Sequence, residues 1–201
     1  AMLAAQLINT SFPSVHLLDK ASFALQLMED YDLQHLCVTT DEKLVGIVDK
    51  NALLDTDETA VIASLQDEFI MASVHADAHF LEASSLLSLH ELTMLPVVST
   101  AADLLGVITA KHMLTILTTY LGADTKGGVI VLEMERKQYS FGEIVRLIET
   151  NDAYVTQLNT ANDPQTGMLL VTIKINRIEV STIVATFQRY DYSVKYYFGE
   201  E

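Results

Sequence analysis

The sequence predicts an α/β (α+β) protein in which one βαββα unit is used twice and a different βαββαβ unit follows. Three observations carry that prediction. The first is an imperfect internal repeat. Ser14-Val15-His16 returns 59 residues on as Ser73-Val74-His75, and Leu44-Val45-Gly46-Ile47-Val48 returns 60 residues on as Leu104-Leu105-Gly106-Val107-Ile108. The second copy therefore holds one extra residue, in the turn around Ser99 to Asp103, where an insertion costs least. The second observation is a change of rhythm behind residue 121, after which no third copy appears. The third is that half of the 201 residues are apolar, enough to bury a substantial core. Two like units packed about a pseudo-two-fold axis form related clefts where they meet, and such clefts are common ligand sites.

In the first copy Val15 to Leu17 reads as a short strand with Asp19 as N-cap of the following helix. Ala21, Ala24, Leu25 and Met28 follow the i, i+3, i+4, i+7 spacing of one buried helical face. Leu36-Cys37-Val38 is an apolar strand, Asp41-Glu42-Lys43 a polar turn and Leu44 to Val48 the partner strand. A helix then starts at Asp49 with Ala52, Leu53 and Leu54. Asp57-Glu58-Thr59 opens a joining helix with Val61, Ile62 and Leu65 inside. The second copy repeats the plan: Val74, a helical face of Phe80, Ala83 and Leu87, the strands Leu95 to Val98 and Leu104 to Ile108, and a helix opened by Thr109 that carries Met113, Leu114 and Leu117. Pro96 within an apolar run predicts a strand end or an interrupted ladder, with backbone groups left free for a ligand.

Residues 122–128, with Gly122, Gly127 and Gly128, read as a linker. Beyond it come a strand at Val129 to Met134 and a helix capped by Ser140 with Glu143 as the reciprocal half of a capping box. Strands at Tyr154 to Leu158 and Met168 to Ile175, a helix from Ile178 to Tyr190 and a strand from Tyr192 to Phe198 complete the order βαββαβ of the split ferredoxin-like unit. Alternation puts Tyr192, Val194, Tyr196 and Phe198 on one face of the last strand. Tyr190 and Tyr197 are candidates to face a partner, as tyrosine favours interfaces.

The net charge is −15, from 27 acidic and 12 basic residues. So acidic a chain repels nucleic acid and anionic lipid surfaces, and its densest basic cluster is only Arg136-Lys137. No apolar run approaches the roughly 20 residues that span a bilayer. No basic leader with a cleavage site opens the chain, and the lone Cys37 forms no intrachain disulfide, so a cytoplasmic protein is expected. Gly-rich phosphate loops, nucleophile elbows and paired-carboxylate motifs are absent from the sequence, so no enzyme is predicted. His75 and His79 invite a metal reading but bring no third or fourth ligand. Cys37 in its apolar strand reads as a small buried hydrophobe.

The segments Val45-Gly46-Ile47-Val48-Asp49 and Leu105-Gly106-Val107-Ile108-Thr109, with Leu95-Pro96-Val97-Val98 and Glu82-Ala83, resemble a tandem pair of CBS domains. Behind them the βαββαβ tail, with Gly142 at a loop-glycine position, resembles an ACT domain. A CBS pair followed by such a tail is similar to the acetoin-utilisation B-type proteins. The resemblance implies a CBS pair over residues 1–121 (copies near 3–56 and 57–121), a 122–128 linker and an ACT-like domain over 129–201. It also implies a regulatory, non-catalytic protein that forms a homodimer through its helices, with Met113, Leu114 and Leu117 as plausible contacts. Its expected ligand is an adenosine compound such as AMP, ATP or S-adenosylmethionine, with no permanent cofactor or metal.

In that family a Thr or Ser and an Asp, three residues apart after the glycine strand, hold phosphate and ribose. Here the pairs are Asp49 with Ala52 and Thr109 with His112, so neither copy has the ribose carboxylate. The better anion cleft is therefore expected around Ser73, Val74, Pro96, Val97, Thr109, Lys111 and His112. A weaker cleft is expected around Ser14, Val15, Cys37, Val38 and Asp49. Thr109 and Asp49 are equally good helix caps without any ligand, and His112 suits surface packing as well as sensing. Two functions stay open: a sensor of an adenosyl ligand, and an adaptor that works through contacts with an unknown regulated protein. The ACT-like loop, Tyr139-Ser140-Phe141-Gly142, lacks the usual Asp-x-Pro-Gly pattern, which weakens an amino-acid site there.

Overall fold

The computed structural model describes residues 1–200 and divides into two compact units, Ala1–Ile116 and Leu117–Glu201. The division falls inside a helix, ahead of the glycine-rich segment that reads as the linker. That segment is tied down: the Lys174 ammonium donates to the carbonyls of Gly122 and Thr125.

The first unit holds the two copies. In the first, β1 (Ser14–His16), α1 (Ala21–Tyr31), β2 (His35–Thr40), β3 (Lys43–Asp49) and α2 (Lys50–Leu54) follow in order. In the second they are β4 (Val74–His75), α3 (Phe80–Leu89), β5 (Met94–Val98), β6 (Leu104–Thr109) and α4 (Ala110–Tyr120). Each copy builds a three-stranded sheet with the middle strand parallel to the first and antiparallel to the third. The predicted faces are buried: Ala21, Ala24 and Met28 on α1, Phe80, Ala83 and Leu87 on α3. Leu54 and Leu114 are 60% and 68% exposed, because each short helix turns only one residue of its apolar run toward the sheet, Leu53 and Met113.

The joining segment is a 3-10 helix, Ile62–Glu68, rather than an α-helix, and Asp57 closes an Asx turn on Thr59 instead of opening it. Lys20, not Asp19, is the N-cap of α1; the Asp19 carboxylate accepts from the His16 backbone N–H. Pro96 does not end its strand. It lies buried within β5 opposite Val107, and the parallel ladder to β4 begins one residue later, at Val97. In the first copy the same ladder begins at Cys37, which keeps its N–H.

The copies complete each other. The segment behind the first copy returns to it: Lys20 bridges Val61, and Ile47 of β3 bridges Ile70. The N-terminal segment does the same for the second copy, with Leu3 bridging His79 and Asn9 bridging Val107 of β6. This explains the repeated glycine. A Cβ on Gly46 would sit 2.9 Å from the Phe69 Cβ, and one on Gly106 2.9 Å from the Asn9 carbonyl oxygen. The crossing segments need that space. The two hairpin turns also meet in a pseudo-symmetric pair of backbone bonds, Leu44 N–H to Ala102 O and Leu104 N–H to Glu42 O, both 3.0 Å.

The second unit is a βαββαβ fold of β7 (Val129–Met134), α5 (Phe141–Glu149), β8 (Val155–Asn162), β9 (Leu169–Ile175), α6 (Ser181–Arg189) and β10 (Ser193–Phe198). Its antiparallel sheet has the order β10-β7-β9-β8. Ile130, Leu132, Val171 and Ile173 alternate onto the face packed against Ile144, Leu147, Ile183 and Phe187 of the helices. The predicted alternation of β10 breaks at a bulge between Val194 and Tyr196. Tyr192 and Val194 reach the core, whereas Tyr196 and Phe198 are exposed. Ser140 caps α5 through the Glu143 N–H, but Glu143 does not close the capping box, because its carboxylate accepts the Tyr192 hydroxyl at 2.5 Å.

Candidate functional site

The end of β3 and the start of α2 bring Asp49 to a junction. Its carboxylate accepts from the Asn51 N–H (2.7 Å), capping α2, and from the Gln34 side-chain amide (3.3 Å). Its other oxygen takes the Nε2 of His35, across the ladder, at 3.0 Å. His35 is 3% exposed, and its Nδ1 faces Thr93 of the second copy, 2.8 Å from the hydroxyl and 3.3 Å from the backbone N–H. Burial lowers the pKa of His35 more than the neighbouring carboxylate raises it. The neutral imidazole with its proton on Nε2 satisfies every contact: it donates to Asp49 and accepts from Thr93.

In the second copy the same rung pairs Met94 with Thr109. The Thr109 hydroxyl accepts from the His112 N–H at 3.0 Å and caps α4. Met94 turns its sulfur toward the Cys37 thiol, 3.8 Å away. Burial pushes the Cys37 pKa up to about 12, so the thiol stays protonated and unreactive.

Clefts open around this unit. One of about 710 Å³ is lined by Ser14, His16 and Thr39 of the first copy with Asp103 and Leu104 of the second, and Asp41 and Glu42 make it acidic. Its pseudo-symmetric counterpart, about 360 Å³, sets Ser73 and Val98 against Leu44, Val45 and Gly46. The third, about 510 Å³, gathers Thr109 and Lys111 with Lys50, Thr93, Gln34, Phe12 and Tyr31. The predicted residues are thus dealt out differently than their order in the chain suggests. Ser73 and Thr109 line separate clefts, because Ser73 precedes β4 whereas Thr109 ends β6 at the far end of the sheet. Val74, Pro96, Val97, Val15, Cys37 and Val38 are buried in their sheets. His112 is exposed and lines none of these three clefts. Asp49 is spent on α2 and His35.

His35, Lys50 and Thr93 escaped the sequence reading. The available signal was a comparison of rungs: His35 with Asp49 in one copy stands where the other has Met94 with Thr109. His75 and His79 do not converge on a metal. His79 caps α3 through its Nδ1 and lies against Phe80, and no group of three or more His, Cys, Asp or Glu side chains that could hold a metal occurs among the described residues.

In the second unit a groove of about 440 Å³ runs past Gln138, Glu143, Tyr190 and Tyr192, with Glu133 and Asp191 beside it. Its acidic lining opposes the carboxylate of an amino-acid ligand. Gly142 lies in the first turn of α5 rather than in a loop, and a Cβ there would meet nothing within 4 Å, so the position has no need of glycine.

The family model of the CBS domain matches residues 4–58 and 67–119. Among solved structures, a CBS domain pair/ACT domain protein from Thermotoga maritima aligns over 60% of this chain and 99% of its own, at 24% identity and a TM-score of 0.55. CBSX2, solved in complex with AMP, aligns over 60% of this chain and 98% of its own, at 19% identity and a TM-score of 0.51. The cytosolic domain of the Mg²⁺ channel MgtE, solved in complex with ATP, aligns over 57% of this chain but only 48% of its own, at 19% identity and a TM-score of 0.51. No functionally curated protein matches the chain. These structural likenesses carry the fold, and the two sequence matches together span more than half of the residues: the chain belongs to the CBS-domain family.

Proposed function

We propose that this protein is a non-catalytic sensor, and that an anionic adenosine compound binds in the cleft formed by Thr109, Lys111 and Lys50. CBS domains are typically regulatory modules, and relatives in this fold were solved with AMP and ATP. One observation carries the choice of cleft. In a chain of net charge −15, this cleft holds two lysines against one carboxylate, Asp32, and no ion pair among the described residues engages either lysine. Their ammoniums suit phosphate oxygens, the Thr109 hydroxyl can donate beside them, and Phe12 and Tyr31 offer apolar walls to a purine. The other two clefts have no lysine, and the first-copy helix start already holds the Asp49 carboxylate. The expected stoichiometry is one ligand per chain.

The test is thermal unfolding of the purified protein with AMP, ADP, ATP, S-adenosylmethionine, NADH and amino acids. A ligand at a hundredfold excess over its Kd adds about 2.7 kcal/mol. A shift from one adenosine compound that disappears in both Thr109→Ala and Lys111→Ala supports the sensor. A flat response to every compound favours an adaptor, the reading to which the missing ribose carboxylate at Ala52 and His112 points. Dimerisation fits either reading: Leu54 and Leu114 stand exposed on α2 and α4, whereas Met113 is spent on its own core. A single monomeric mass at micromolar concentration by light scattering would remove the dimer.

A further inference from the structure

We propose that His35 is a proton-sensitive tie between the two copies, one that is complete when the ring is neutral and weakened when Nδ1 takes a proton. The inference rests on three features of the geometry. His35 is buried at the junction of the copies, with one ring nitrogen on each: Nε2 on Asp49 of the first and Nδ1 on Thr93 of the second. At the Thr93 end the hydroxyl can donate or accept, but the backbone N–H that points at Nδ1 can only donate. A proton on Nδ1 sets N–H against N–H and ends that bond. Third, the rung is specific to the first copy; Met94 and Thr109 in the second copy have no such charge.

The charged groups around the tie are Asp49 at the end of β3, Lys50 at the start of α2, Lys111 near the start of α4 and Asp32 before β2. Of these only Asp49 touches the imidazole. It favours the proton, but burial opposes it more strongly. The neighbours of the tie, Gln34, Lys50 and Thr93, line the cleft assigned above to the ligand. This inference therefore adds regulation to that site, but its own readouts need no ligand.

The sign follows from linkage. A histidine whose folded pKa lies below its unfolded value of about 6.5 contributes stability that is complete above that value and is lost as pH falls through the folded pKa. The experiment uses the full chain without ligand. Long-range ¹H–¹⁵N spectra between pH 8 and 5 identify the His35 ring by its absence in His35→Gln. The expected result is a neutral ring with its proton on Nε2 that resists protonation longer than a free imidazole. Thermal unfolding over the same range gives the second readout. The melting temperature of the wild-type protein falls toward pH 5 by about 3 °C more than that of His35→Gln. Should His35→Gln fail to fold, Thr93→Val keeps the imidazole and removes the one Thr93 group that could accept from a protonated Nδ1, and the His35 titration moves further down. A His35 ring protonated on Nδ1 at pH 7.5, or a titration that Thr93→Val leaves unmoved or raises, overturns the proposal. Neither outcome depends on whether a nucleotide binds.

Discussion

The two copies share a fold but not a chemistry. At the last rung of the first hairpin, buried His35 faces Asp49, and the carboxylate occupies the start of α2. At the matching rung of the second, Met94 faces Thr109, and a neutral hydroxyl starts α4. Each copy satisfies its rung and caps its helix, so either solution supports the sheet. They differ in what they leave for a ligand: the first brings its own anion, whereas the second leaves an uncharged donor beside Lys111. The scaffold is common to both copies, and these two pairs of residues set them apart. The helices diverge similarly. Ala21 begins α1 where Phe80 begins α3, both buried.

That comparison can be broken by exchanging residues between the copies. The largest expected effect is in the core. Phe80→Ala leaves a cavity and costs about 3–5 kcal/mol in denaturant unfolding. The reverse exchange, Ala21→Phe, overpacks α1 and costs about 1–3 kcal/mol. Next comes Asp49→Thr, which copies the second rung into the first. The His35 Nε2–H loses its charged acceptor, a loss of about 1–3 kcal/mol, and calorimetric titration with a nucleotide should tighten at its one site, because a carboxylate beside Lys50 is gone. Thr109→Ala removes a cap for about 1 kcal/mol and abolishes the ligand-induced shift. The smallest effect belongs to the exposed contact between the hairpin turns. The hydrogen bond from Lys43 holds the Asp103 carboxyl below its usual pKa. It therefore contributes above the unfolded carboxylate pKa and loses that contribution as pH falls through the folded value. Asp103→Asn should flatten the acid limb of stability against pH slightly, while the neutral-pH melting temperature barely moves.

The architecture was largely legible because it rests on local patterns. Repeated apolar spacing located all six helices to within a few residues, and turn residues located the hairpins. What the pattern lacked was anything set by distant chain. Asn9 and Phe69 crossing above Gly106 and Gly46 are visible only once the segments are laid over the sheets. The bulge in β10 hid for another reason: one extra residue, here between Val194 and Tyr196, reverses every later side chain without changing composition. The site was less legible than the fold. Thr109, Lys111 and Asp49 stood out as helix-start residues, but cleft membership depends on which sheet ends meet. His35 stands in the sequence as one polar residue ahead of an apolar strand, and only the approach of Thr93 from the other copy gives it a second partner.

The exchanged segments reach further than the stability of either sheet. A chain with one segment and one copy would present a ready segment and an empty receiving edge, mismatched within itself. Two such chains would satisfy each other about a two-fold axis, each lending its segment to its neighbour. Residues 3–9 and 61–70 stand in that reciprocal relation here. The tandem chain is thus a symmetric dimer with one covalent link, and its halves are separable by symmetry but not by cutting.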